Sequence, residues 1–117
     1  NVNDEAVFGT WGWKILDEIK PLIGEAQIVK YRSDGFIGTG LDLILRSNNI
    51  ESTIFTGVVT GGCVASTVRS AGNHFFVVVA EDCCWDTDIE RHDATILQFK
   101  KRYNVFTGEQ IIQTWNR

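Results

Sequence analysis

The sequence predicts an α/β fold, doubly wound, with a mostly parallel sheet and helices on both faces. Three observations lead there. Candidate helices and strands alternate along the chain, which implies right-handed crossovers and a parallel sheet. The run FFVVVA at 75–80 lacks polar alternation, as a strand buried on both faces should. The 117 residues, 44% hydrophobic and 22% charged, suit one domain large enough to bury its own core.

The elements follow in order. Residues 12–19 (GWKILDEI) place apolar side chains at helical spacing and stop before Pro21, the only proline. Residues 27–31 (QIVKY) read as a short strand. Residues 39–47 (TGLDLILRS) put Leu41, Ile44 and Leu45 on one helical face. The β-branched run 53–59 (TIFTGVV) is a strand bounded by glycine, and residues 62–70 (GCVASTVRS) a helix stopped by Gly72-Asn73. After the strand 75–80 come a polar amphipathic helix over 88–102, a weak strand over 103–106 and a closing helix over 108–114.

Composition excludes several classes. A net charge of −4 opposes nucleic-acid binding, which runs on a surplus of Lys and Arg. No apolar run approaches the ~20 residues of a membrane span, and no signal-peptide pattern opens the chain. Three cysteines, two of them adjacent (Cys83 and Cys84), do not suit a disulfide framework; reduced thiols in a cytoplasmic protein are expected. The chain contains no methionine, so a processed, excised or incomplete product is expected.

In an open parallel sheet, ligands bind beyond the carboxyl ends of the strands. That edge collects residues 30–34, 60–63, 81–85 and 107–108, so Lys30, Cys63 and Asp82 can converge there although they are far apart in sequence. Cys63 lies in Gly57-Val-Val-Thr-Gly-Gly-Cys-Val64, a strand, a glycine-rich turn and a helix start. A helix N-terminus favours a sulfur anion and offers N–H groups to an oxyanion; a small buried cysteine that merely starts a helix fits the same pattern. Lys30 either places an ammonium beside that sulfur or points to solvent. Asp82 either pairs with one of these groups or caps the turn after its strand. Trp85 falls on the same edge and can wall a small pocket. His74 and His92 have no second ligand at zinc spacing and read as solvated or hydrogen-bonded structural residues; no metal or other cofactor is expected. Gly38-Thr-Gly40 lacks the Lys-Ser/Thr ending of a phosphate loop, which leaves a flavodoxin-like nucleotide binder resting on fold analogy alone.

With these pieces in place the chain resembles the isochorismatase-like cysteine hydrolases. The match runs from Gly9-Thr-Trp-Gly12 to about His92. It is carried by Lys30-Tyr-Arg-Ser-Asp-Gly-Phe36, Gly38-Thr39, Leu41, Leu45, the Gly57–Val64 motif, Ser66-Thr67, Ala71 and Val77-Val-Val-Ala-Glu-Asp82. The wording Gly-Phe-Ile-Gly-Thr and Glu-Asp-Cys-Cys is closer to ureido and biuret amidohydrolases than to nicotinamidases.

The resemblance implies hydrolysis of a small amide or ureide by an Asp–Lys–Cys triad, with Cys63 as nucleophile, Lys30 as the lysine and no required metal, although some relatives carry one. It implies a cis peptide at Val58–Val59, oxyanion donors at the Val59 and Cys63 N–H groups, and association into homo-oligomers. Phe36, Thr60 and Trp85 are the expected substrate contacts. The family's Asp lies on a first strand upstream of the lysine, and no residue here matches it. The resemblance therefore implies one isochorismatase-like domain over residues 1–117 that lacks its N-terminal strand. Gly61-Gly62 stand where an Asn/Asp-apolar pair is more usual, and Asp34 where a small neutral residue is common. A non-catalytic domain of the same fold, serving assembly or small-ligand binding, is the alternative.

Overall fold

The computed structural model describes residues 7–116. Its core is a parallel sheet of three strands in the order β1 (Ser52–Val58), β2 (Phe76–Trp85), β3 (Asn104–Phe106). Four helices accompany it: α1 (Leu41–Ser47), α2 (Ala65–Ala71), α3 (Ile89–Lys100) and α4 (Gly108–Trp115). Each of these was legible as a helix or strand from its apolar spacing. Asp88 caps α3 by accepting the Arg91 N–H, and Thr107 and Gln110 form a reciprocal capping box at the start of α4.

Strand alternation sends Phe55, Val77, Val79 and Val105 to one face, where α2 and α3 cover them. Val68 and Ala71 of α2 and Phe99 and Ile96 of α3 close this core. Phe99 is 1% exposed, and burial of a side chain of that size contributes roughly 1.5–3 kcal/mol. The opposite face carries Ile54, Phe76, Val78 and Phe106. With Ile111 and Trp115 of α4 these residues line an apolar groove of about 440 Å³.

Three expectations are corrected. Residues 12–19 form no helix; two separate 3₁₀ turns occur instead, Trp11–Trp13 and Asp17–Ile19. Trp11, Leu16 and Ile19 stay exposed, so the periodic pattern has no surface to pack on, and a helix this short is unstable without one. Residues 27–31 are irregular, because no described strand offers them an edge. The run 75–80 is not buried throughout on both faces, since Phe76 is 58% exposed although Ala80 on the same face is buried, and its strand continues to Trp85.

That continuation matters for the site. β1 and β2 pair in register from Ser52 with Phe76 to Phe55 with Val79; the register then jumps, and Gly57 pairs with Cys84 and Val58 with Trp85. Gly57 takes φ +121 at the irregularity, a conformation that favours glycine. In between, β2 bows out and Ala80 pairs with Phe106 of β3. No helix among the described residues is long and apolar enough to cross a membrane.

Candidate active site

The end of β1 runs through a cis peptide at Val58–Val59 into a wide turn, Thr60–Val64, which leads directly into α2. Gly62 breaks the helical path of this turn (φ −114, ψ −106), and the Gly62 and Val64 N–H groups both donate to the Val59 carbonyl. The half-buried Cys63 sits here, two residues before α2 begins.

Lys30 arrives from the irregular segment rather than from a strand end. Its ammonium donates to the Cys63 sulfur at 3.2 Å and to the Arg32 carbonyl at 3.0 Å. The loop that carries it is tied to α2. The Gly35 N–H donates to the Thr67 hydroxyl at 2.9 Å, and that hydroxyl donates to the Cys63 carbonyl at 2.8 Å. Asp34 accepts from the Phe36 N–H at 2.9 Å with one oxygen and from the Ser70 hydroxyl with the other. Asp34 thus holds the loop onto α2, which accounts for a carboxylate at that position. Beside Lys30 opens a hollow of about 830 Å³, walled in part by Trp13, Ile15, Pro21 and Ile28.

Other expected residues go elsewhere. Asp82 does not join Cys63. It lies in the stretch where β2 bows away from β1, and it accepts the Gly108 N–H at 2.7 Å. Thr60 is fully buried, and its hydroxyl lies 2.9 Å from His92 Nδ1. Phe36 is half-buried and stacks on Phe75, with ring centroids 6.3 Å apart. Trp85 is exposed and lies across from Val58. His92 is a hydrogen-bonded residue and His74 an exposed one.

Asp86 is the residue that the sequence reading missed. When β2 rejoins β1 at Cys84 and Trp85, the next residue arrives at the turn Thr60–Val64. Asp86 is 4% exposed and accepts the Gly61 N–H at 2.8 Å. Arg91 donates to it through Nε at 3.0 Å and Nη2 at 2.5 Å, and the Asp88 N–H donates at 3.0 Å. The Arg91 hydrogen bonds above all, helped by the two N–H groups, hold this carboxyl well below the usual carboxylate range despite its burial. Arg91 also lies across Gly61: a β-carbon there would overlap its Cγ and Cδ, which accounts for glycine at that position. The only local signal for Asp86 was its place two residues before the α3 cap.

All three cysteines are free. Burial, and then the neighbouring Cys83, push the Cys84 thiol up to about 11. Cys83 is raised by desolvation and by Asp82. Among the described residues no group of three or more His, Cys, Asp or Glu side chains is disposed to hold a metal.

A parallel sheet whose first strand feeds a cysteine-bearing turn, met by a lysine from a separate loop, defines a Cys–Lys site on a three-layer α/β domain. The family model described as the Isochorismatase domain matches residues 1–110. The chain belongs to the isochorismatase family. It is 43% identical over 75 residues to the ureidoacrylate amidohydrolase RutB of Cronobacter sakazakii, a match covering 63% of this chain and 32% of that protein. An isochorismatase-like hydrolase from Alkaliphilus metalliredigens superposes with a TM-score of 0.90 at 35% identity, over 98% of this chain and 65% of that one. The nicotinamidase PncA of Bacillus subtilis superposes with a TM-score of 0.63 at 30% identity, over 65% of this chain and 44% of that one. The chain therefore spans about a third of the length of the curated relative it matches.

Proposed function

We propose that the chain carries the cysteine site of a hydrolase that cleaves the C–N bond of a small amide or ureide through a thioester. The observation that carries this reading is the 3.2 Å contact between the Lys30 ammonium and the Cys63 sulfur on the turn Thr60–Val64. Membership of the family and the likeness to an amidohydrolase and a nicotinamidase support it.

In this mechanism the Cys63 sulfur adds to the carbonyl carbon, and the carbonyl oxygen becomes an oxyanion. Val59 and Cys63 N–H groups are the proposed donors to it, and the Lys30 ammonium balances the negative charge that passes from sulfur to oxygen. Collapse of the intermediate breaks the C–N bond. The nitrogen leaves with a proton, and water then adds to the thioester, releases the acid and returns the thiol. The family resemblance assigns the proton transfers to a carboxylate. Among the described residues no carboxylate is hydrogen-bonded or ion-paired to Cys63 or Lys30.

That observation favours a second reading, a domain of the same fold that assembles or binds a small ligand without catalysis. An acyl-trapping experiment separates the two. The chain is incubated with ureidoacrylate or nicotinamide, with acetate present as a carboxylate base, quenched in acid and digested for mass spectrometry. An acyl mass on the peptide containing Cys63, absent from Cys63→Ser, is expected. No adduct and no ammonia release with either compound would favour the non-catalytic reading.

A further inference from the structure

Residues at and just before the start of α3 make three contacts with Thr60 and Gly61 of the nucleophile turn. Asp86 takes the Gly61 N–H, Arg91 lies across Gly61, and His92 meets the Thr60 hydroxyl. We propose that Asp86 is a positioning residue for Cys63: its buried carboxylate, fixed by Arg91, sets where the turn holds the sulfur relative to Lys30. The inference rests on the reading of Cys63 as the nucleophile.

The carboxylate acts through the turn and not on the substrate. One oxygen receives the Gly61 N–H and Arg91 Nε; the other receives the Asp88 N–H and Arg91 Nη2. A carboxylate has about four acceptor positions, so none is left for a proton-transfer partner. The side chain is sealed from solvent, whereas that of Arg91 is about half exposed. What Asp86 controls is the direction of the peptide two residues before Cys63. The Gly62 and Val64 N–H groups already converge on the Val59 carbonyl, which closes the turn on itself. A displacement of the turn relative to α2 changes the separation of the sulfur from Lys30, whose own loop is tied to α2 through Thr67 and Ser70. Reactions that depend on such alignment lose rate steeply with small displacements.

The test uses site-resolved alkylation of the whole chain by iodoacetamide at neutral pH, with Asp86→Asn, Asp86→Ala and the unaltered protein compared. Each thiol displaces iodide, and mass spectrometry gives a separate rate for Cys63, Cys83 and Cys84. Loss of positioning slows Cys63 by about tenfold or more and leaves the buried Cys84 as slow as before. General loosening does the opposite, since it exposes Cys84 and speeds its labelling. An unchanged Cys63 rate in folded Asp86→Asn, or faster Cys84 labelling with no selective loss at Cys63, overturns the inference. Should Asp86→Ala fail to fold, Asp86→Asn decides, because it keeps the shape of the side chain and loses the paired acceptors. If Cys63 of the unaltered protein reacts no faster than Cys83, the nucleophile reading itself fails, whatever Asp86 does.

Discussion

Lys30 and Cys63 lie 33 residues apart in sequence and 3.2 Å apart in space, and no regular element carries the lysine. Its position comes from the Thr67 hydroxyl, which joins the Gly35 N–H to the carbonyl of Cys63 itself. Replacing Lys30 by Met keeps much of the aliphatic stem and removes the charge. The expected result is a loss of about 10²-fold or more in amide hydrolysis, with Lys30→Arg intermediate. Comparison of kcat for the three proteins checks this. Equal rates for Lys30→Met and the unaltered protein would remove the lysine from the mechanism.

The three thiols report on their surroundings. Cys84 is pushed up to about 11 by burial, and Cys83 is raised by desolvation and Asp82. A thiol at about 11 is ionised to roughly one part in a thousand near pH 8, and only the thiolate attacks. Labelling by iodoacetamide at pH 8 is therefore expected in the order Cys63, Cys83, Cys84. Cys84 should gain rate steadily toward pH 11. Peptide mass spectra taken across pH 6 to 10 check the order, and early labelling of Cys84 would contradict its burial.

Much of this is legible in the sequence, and the failures have two causes. Leu41, Ile44 and Leu45 share one helical face in the sequence pattern and are the half-buried apolar residues of α1. Lys30 and Cys63 were placed at one edge, and they meet there. The misreadings at 12–19 and 27–31 were local apolar patterns whose packing partner does not exist among the described residues, so propensity alone decided and lost. Asp82 and Asp86 were exchanged for a different reason. Local sequence does not show that β2 bows away at Ala80 and rejoins β1 at Cys84, and that detour shifts the β1–β2 register by three residues.

Asp86 gives the fold an acid limit. Its carboxyl lies well below the ordinary carboxylate value of about 3.9, held there first by Arg91. A group depressed by folding contributes stability above its unfolded pKa and loses that contribution as pH falls toward its folded value. Denaturation midpoints measured from pH 6 down to pH 2 are expected to fall below about pH 4 in the unaltered protein. The decline should be shallower in Asp86→Asn, which starts from a lower midpoint. Parallel curves would assign the acid sensitivity to other groups.

Gly61 has no room for a side chain, because Arg91 lies across it. Gly61→Ala forces the arginine aside and with it the Asp86 contact. A loss of about 5 °C or more in Tm is expected for the single variant. Arg91→Ala opens the space, so adding Gly61→Ala to that background should cost much less than it does alone. Thermal denaturation of the four proteins forms a double-mutant cycle. Additive losses would show that the two residues do not compete for the same volume.

Among the described strands β1 is paired on one side only, and it carries Ile54 at 41% exposure and Val58 at 61%. An apolar edge with unpaired backbone groups is a template for another strand, and a charged side chain on such an edge blocks pairing. The chain is expected to self-associate as its concentration rises, measured by light scattering, and Ile54→Lys should suppress that association. Ile54 belongs to the groove face, opposite the α2 and α3 core, so the substitution leaves the packing of Phe99 and Val79 intact. Its thermal midpoint at low concentration should stay close to that of the unaltered protein. If scattering is independent of concentration in the unaltered chain, or unchanged by Ile54→Lys, the edge is not the surface through which copies meet.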